Sequence, residues 1–409
     1  MKTVSTVKRL TLLFAATYFT SYLTRINYGA IISEMVRSTG IDKPLLSMAL
    51  TGSFITYGIG QIISGALGER VRPKNLITAG FIITVIMNLI LPFCPSPYAM
   101  TAVWCINGFA HSLMWPPLVR MMSALMTHDE YKSASVIVSW GSYIGTMAVY
   151  LISPVIIEAS SWRYVFTVSA ICGIIMLILW RLLAPDVDAE RKAIEASDGG
   201  TVSAKSVFFS PALLLIFLAI ICQGALKDGI TTWMPSYISE VFHLGSSTAI
   251  LSGVILPIFS IICTRIFLSI HNKKLKNPVV CAIVIFAVGT VSALALAVFS
   301  DAHAAVSMVF SAILTSCMHG VNIMYISMLP AYFKSIGKVS FASGLLNSFS
   351  YVGSAVSTYG IAALSESRGW SFTIIVWLVI ALVGTAASLI ALRPWNKLKD
   401  KLQKSHPLG

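Results

Sequence analysis

Apolar runs of roughly 20 residues follow one another along almost the whole chain, separated by short polar turns. A helix of about that length crosses a hydrocarbon core some 30 Å thick. A backbone in lipid must satisfy its own hydrogen bonds, which leaves helices or a closed barrel. Barrel strands alternate apolar and polar residues with a period of two, and these runs do not. Only 11% of the 409 residues are charged and 56% are hydrophobic, whereas soluble domains carry about 25% charge. A water-soluble fold is excluded, and an all-α membrane protein is expected.

The runs predict spans at 10–36, 45–67, 75–93, 98–126, 133–157 and 162–184, then at 209–240, 247–270, 278–299, 303–331, 339–364 and 370–392. The stretch 185–208 interrupts the pattern with Pro185, Asp186, Asp188, Glu190, Arg191, Lys192 and the Asp198-Gly199-Gly200 turn. The expected organisation is therefore a six-helix bundle over 1–184, a linker at 185–208, a second six-helix bundle over 209–392 and a basic tail at 393–409. The two halves echo each other. Arg25 is answered by Lys227, His111 by His319, the Trp162-Arg163-Tyr164 start of span six by Trp370-Ser371-Phe372, and the basic loop Glu69–Lys74 by His271–Lys274. Duplicated halves joined by a loop predict a pseudo-symmetric carrier with its solute site at mid-depth.

The net charge of +13 is not spread as a nucleic-acid surface would be, and no nucleic-acid partner is expected. Lys and Arg collect at both termini, after span two (Arg70, Arg72, Lys74), in the central loop and after span eight (Lys273, Lys274, Lys276). The opposite side carries Arg37, Lys43, Arg163 and Arg368. Cationic loops stay on the cytoplasmic side, so both termini and the linker are predicted to be cytoplasmic, in a multi-pass protein of the cytoplasmic (inner) membrane. The first run resembles a signal peptide in its Lys8-Arg9 start, but it is too long, holds Arg25 and lacks a small-residue cleavage site. It is expected to remain as the first span. The seven cysteines are scattered through apolar segments without a C-x-x-C pair, so neither a metal site nor a disulfide framework is expected. No Walker loop, G-x-S-x-G or H-E-x-x-H is present, so the chain is not expected to be an enzyme or to need a cofactor.

Two residues carry the functional expectation. Arg25 lies about 15 residues into its span, roughly 23 Å along a helix, too deep to snorkel easily to either surface. Lys227 sits at the matching place in span seven. A cation at that depth costs about 2.5 to 3.5 kcal/mol to insert and is rarely ornamental. The pair predicts an anionic solute. Asp228 is the one acid at comparable depth. Neighbouring helix positions point about 100° apart, so Asp228 need not pair with Lys227; where it does pair, it removes one positive charge and becomes a possible coupling group. His111 and His319 are candidates to bind solute or take a coupling proton, since imidazole titrates near neutrality. Tyr28, Tyr57, Gln61, Trp140 and Tyr325 are candidate cavity liners, along with Tyr143, Trp233, Asn322, Asn347 and Tyr351. Glu69 and Arg70, at the end of span two, are candidates for a conformational switch in which an acid docks on a neighbouring helix N-terminus.

The loop after span two resembles the major facilitator pattern G-x-x-x-[D/N]-[R/K]-x-G-[R/K]-[R/K], with Glu69 in place of the usual acid and Arg72 in place of the glycine. Tyr22-Leu23-Thr24-Arg25-Ile26-Asn27-Tyr28, Tyr57-Gly58, Trp115-Pro116-Pro117 with Arg120, and Trp233-Met234-Pro235-Ser236-Tyr237 resemble the organophosphate:phosphate antiporter family, which includes glycerol-3-phosphate and hexose-phosphate transporters. The resemblance implies a twelve-helix major facilitator fold working as a monomer. It also implies that Arg25 and Lys227 fall where that family binds phosphate with two arginines. Lysine there replaces a planar fork by a compact point charge. Gln61 and Ser142 stand where glycerol-3-phosphate carriers have lysine and histidine, so phosphate-type recognition is implied without that particular ester. The expected function is exchange of a phosphorylated metabolite for inorganic phosphate. The alternatives are a proton-coupled carrier of carboxylates or other monoanions, and a sugar-phosphate sensor.

Overall fold

The computed structural model describes residues 4–68, 71–187, 207–336 and 339–404. Every long element among them is helical: α1 Val4–Thr39, α2 Lys43–Gly68, α3 Pro73–Ile90, α4 Pro97–Ser112, α5 Trp115–Leu125, α6 His128–Ala159, α7 Arg163–Leu183, α8 Pro211–Phe242, α9 Ser246–Ser252, α10 Ile255–Lys273, α11 Pro278–Val298, α12 Ala304–Asn322 and α13 Val339–Lys404. Proline opens α3, α4, α8 and α11, a position where its missing N–H costs nothing and its fixed φ suits the helix. Ser96 and Asn277 cap α4 and α11 by accepting from Ala99 N (3.2 Å) and Val279 N (3.0 Å), which satisfies otherwise orphaned amides.

Predicted spans and helices differ where the backbone is broken. Span four becomes α4 and α5, because Pro116 and Pro117 come just after the Leu113–Met114 turn, beyond Trp115, and proline cannot continue a preceding helix. Span eight is divided into α9 and α10 at Gly253 and Val254. Span ten runs as α12, a π-helical turn Ile323–Met328 and a 3-10 segment Leu329–Ile336. Spans eleven and twelve are continuous as α13, interrupted at Gly369 with φ 78° and ψ 175°, a conformation that glycine alone adopts freely. Among the described residues, nine segments are long and apolar enough to cross a membrane. The all-α expectation is met, while this measure stops short of twelve spans for physical reasons. Thr, Ser, Tyr and Arg25 dilute α1, the prolines cut span four, and Ala342–Leu402 counts once with 61 residues. An unbroken helix of that length would be about 90 Å long, some three times the hydrocarbon thickness.

Contacts divide the chain into two compact units, Met1–Arg191 with Thr232–Ile258, and Lys192–Thr231 with Phe259–Gly409. Positions 188–206 of the predicted linker lie outside the described residues. In the first unit α1 packs on α6, α2 on α4 and α3 on α7. Phe14, Phe81, Leu118, Met121, Met122 and Trp180 form one apolar cluster there. The residues of α8 that belong to this unit are tied in by polar contacts: Lys43 meets Glu240 at 2.7 Å and Ser33 meets Ser236 at 2.5 Å. In the second unit α11 packs on α12 and α13, and the rings of Phe217 and Phe349 stack at 4.2 Å.

At the start of α6 the Thr127 N–H donates to the Glu130 carboxylate at 2.8 Å. That bond, and a second from the Thr127 hydroxyl, hold the Glu130 carboxyl below its ordinary value of 4.5. A depressed folded pKa stabilises above the unfolded value and loses its effect as pH falls through the folded one. Melting curves of E130Q are therefore expected to lie slightly below wild type above about pH 5 and to merge with it in stronger acid. Parallel curves at every pH would remove the carboxylate from this role.

Candidate functional site

Arg25 leaves α1 toward α2 and rests on aromatic rings. Its guanidinium carbon is 4.1 Å from the Tyr57 ring centroid and 5.9 Å from those of Tyr22 and Phe54. Such contacts contribute about 0.5 to 2 kcal/mol each according to how far they are desolvated. Tyr18 extends the aromatic surface, 5.1 Å from Tyr22 and 4.6 Å from Trp115. Gln61 lies one turn beyond Tyr57 on α2 and therefore on the same helix face. It is buried, and its Nε2 finds no hydrogen-bond partner among the described residues. A buried donor left unmade costs about 1 to 3 kcal/mol, so this amide is a ready group for a polar ligand.

Behind Arg25 the helix is held by a buried polar network. The Thr24 carbonyl accepts from Asn88 Nδ2 at 3.0 Å and from Asn107 Nδ2 at 3.2 Å. Asn27 Nδ2 donates to Asn88 Oδ1 at 2.8 Å. Thr84 donates to Asn107 and lies 3.1 Å from His111 Nε2. The network pins the Arg25 turn of α1 to α3 and α4. His111 is thereby placed on the packed side of that turn, bonded to Thr84. Tyr28 also sits on a packed side. It is fully buried, gives its hydroxyl to the Leu46 carbonyl at 3.0 Å and packs on Trp104 and Phe166. Sequence reasoning missed Thr84, Asn88 and Asn107. The signal was present, since each interrupts an apolar run and a lone amide in lipid must find a partner on another helix. Trp140 is half-buried on α6.

In the second unit Lys227 and Asp228 form an ion pair, Nζ to Oδ1 at 3.3 Å, with side chains 13% and 19% exposed. Of the two alternatives that adjacency left open, pairing is the one seen. Their directions differ as helix geometry requires, but the Lys227 stem is long, and the Asp228 carboxylate is anchored by Ser354 Oγ donating to Oδ2 at 2.5 Å. The Tyr351 ring lies 5.7 Å from Lys227 Nζ. Ser350 donates to Gln223 Oε1 at 3.0 Å, and Gln223 Nε2 donates to the Met318 carbonyl at 3.1 Å. Sequence reasoning did not single out Ser354 or Gln223, which are ordinary residues until their helices meet. His319 is half-buried on α12, and Tyr325 is fully buried within the π-helical turn. π-Helical turns occur often at functional sites. Glu69 and Arg70 lie outside the described residues.

A family model described as Major Facilitator Superfamily matches residues 14–358. A probable hexose phosphate transport protein of Chlamydia trachomatis is 23% identical over 95% of this chain and 90% of its own length. The membrane sensor protein UhpC of Salmonella typhimurium is 24% identical over 57% of this chain and 57% of its own length. Among solved structures, a bacterial homologue of the human lysosomal transporter Spinster superposes with a TM-score of 0.75 at 13% identity, covering 97% of this chain and 99% of that one. At that identity the likeness speaks for the fold alone.

Proposed function

Because the chain belongs to the Major Facilitator Superfamily, we propose that it is a secondary active transporter of a small organic anion, a phosphorylated metabolite exchanged for inorganic phosphate. The observation that carries this reading is the Arg25 guanidinium, held at mid-span on the Tyr57 ring and backed by a polar network that fixes its helix. A guanidinium is a planar fork suited to two oxygens of one phosphate. Lys227 is the second anion-binding group, and Gln61, Tyr57, Trp140, Tyr325 and His319 are the groups that select the organic part. The similarity to a probable hexose phosphate transport protein over nearly its whole length supports a phosphate ester as the solute. Anion binding shifts the balance between access states by its differential affinity for them. The protein works as a monomer in the cytoplasmic membrane, with both termini cytoplasmic.

Two observations favour other readings. The Asp228 carboxylate beside Lys227 is the kind of group a proton-coupled carboxylate or monoanion carrier would use. The likeness to a membrane sensor favours ligand detection without flux. Proteoliposomes loaded with inorganic phosphate separate the three. Uptake of a sugar phosphate that requires internal phosphate is expected. A requirement for a pH gradient instead supports the proton-coupled carrier, and saturable binding without flux supports the sensor.

A further inference from the structure

The basic loop after α10 and the basic tail are distant in sequence but meet within the second unit. Asn277 caps α11 with its side-chain oxygen, which accepts from Val279 N at 3.0 Å. Its Nδ2 is turned the other way and donates to Asn396 Oδ1 at 3.1 Å. Beside Asn396, Trp395 is fully buried and meets the Tyr332 ring edge-on at 5.5 Å, and Leu402 is buried further along. The end of α13 is thus docked along one side. Another side carries Arg393, Lys397 and Lys401, all exposed and spaced by four, so that they share a helix face. The loop brings exposed Lys273, Lys274 and Lys276 up to Asn277. From 271 to 277 and from 393 to 409 the sequence holds one acid, Asp400, which is exposed and lies 4.0 Å from Lys399. The six exposed cations are therefore in excess. About 20 helical residues cross the hydrocarbon. The helix that restarts after Gly369 leaves it near position 390 and sets Arg393 at headgroup depth. The loop lies at the same level, because Asn277 touches Asn396.

We propose that this patch is an anionic-lipid site, in which the α10–α11 loop and the end of α13 together hold the headgroup of an acidic membrane lipid. Charge complementarity names the occupant. Each Lys or Arg close to an anionic bilayer surface contributes about fivefold in affinity. A zwitterionic headgroup attracts less, because it carries its own cation beside the phosphate. Cationic loops gather on one side of a membrane for reasons of insertion, and that rule does not bring any two of them together. Here the contact between Asn277 and Asn396, 119 positions apart, makes one patch of two segments. The site belongs to the second unit alone and is independent of which solute the protein carries.

The test sets phosphatidylglycerol against phosphatidylcholine with the same acyl chains. Each displaces a fluorescent phosphatidylglycerol from the purified full-length protein in mixed micelles at low salt. Wild type is expected to prefer phosphatidylglycerol by about tenfold or more. The loop variant K273Q/K274Q/K276Q and the tail variant R393Q/K397Q/K401Q are each expected to lose that preference to within about twofold. R9Q/R181Q/R368Q removes as many exposed cations elsewhere and is expected to keep it. Equal affinity of wild type for the two lipids overturns the inference. So does an equal loss in R9Q/R181Q/R368Q, because net charge rather than a site would then set the preference. A full preference in either the loop or the tail variant overturns the joint site. Should a triple variant fail to fold, K274Q and K397Q replace it. Each is then expected to lower the preference by up to about fivefold, and no change in either overturns the inference.

Discussion

Arg25→Ala is expected to abolish solute uptake, with a loss of about a hundredfold or more in binding of inorganic phosphate, while the protein still inserts and melts cooperatively. Truncating one partner of a hydrogen-bonded charge pair typically costs 2 to 5 kcal/mol, which is roughly thirty- to several-thousand-fold at 1.4 kcal/mol per decade. The fold is expected to survive because bonds to the Thr24 carbonyl and the Asn27 side chain pin this turn of α1 independently of the guanidinium. The stability lost includes that of the ring contacts with Tyr57, Tyr22 and Phe54, about 0.5 to 2 kcal/mol each. Arg25→Lys keeps the charge but loses the fork, so intermediate binding is expected. Uptake into proteoliposomes and thermal unfolding of the same preparations separate the two effects. Wild-type uptake by Arg25→Ala would end the proposal that this residue holds the solute.

Gly224→Ala is expected to be among the most destabilising single-methyl additions in the chain, by about 3 kcal/mol. The added carbon would sit 2.0 Å from the Ser350 carbonyl oxygen and 2.7 Å from its carbon. Both are backbone atoms, so no rotamer change relieves the clash and the helices must separate. Separation also strains the bonds from Ser350 to Gln223 and from Ser354 to Asp228. Gly353→Ala meets the Ile221 carbonyl in the same way and is expected to behave alike. Gly360→Ala is the control. Nothing lies within 4 Å of its added carbon, and alanine is the better helix former by up to about 1 kcal/mol. Thermal unfolding of the three variants checks this, and equal melting temperatures for Gly224→Ala and Gly360→Ala would show that the helix contact is looser than described.

Arg25 stood out because it breaks a local rule: a cation in a greasy run at that depth is rarely ornamental. Asn88 and Asn107 broke the same rule more quietly and went unweighed, although an amide there must find a partner on another helix. Tyr28 misled because tyrosine suits both a cavity wall and an interior. What assigns it to the interior is the Leu46 carbonyl from the next helix, which takes its hydroxyl. The relation of Lys227 to Asp228 could not be read from adjacency. Neighbouring helix positions diverge, and the direction of the carboxylate is set by Ser354, 126 positions later in the chain.

By itself, the sequence determined that this protein is helical and membrane-embedded, and that one half echoes the other. Those properties follow from run length, hydropathy and charge placement, which act locally and need no knowledge of what packs against what. Only the tertiary structure decided which polar side chains face each other. It set His111 against Thr84, left the Gln61 Nε2 without a partner among the described residues, and gave Lys227 its counter-ion. The physical reason is that a buried polar group's role is defined by its partner, and in a helical membrane protein that partner comes from another helix tens of residues away.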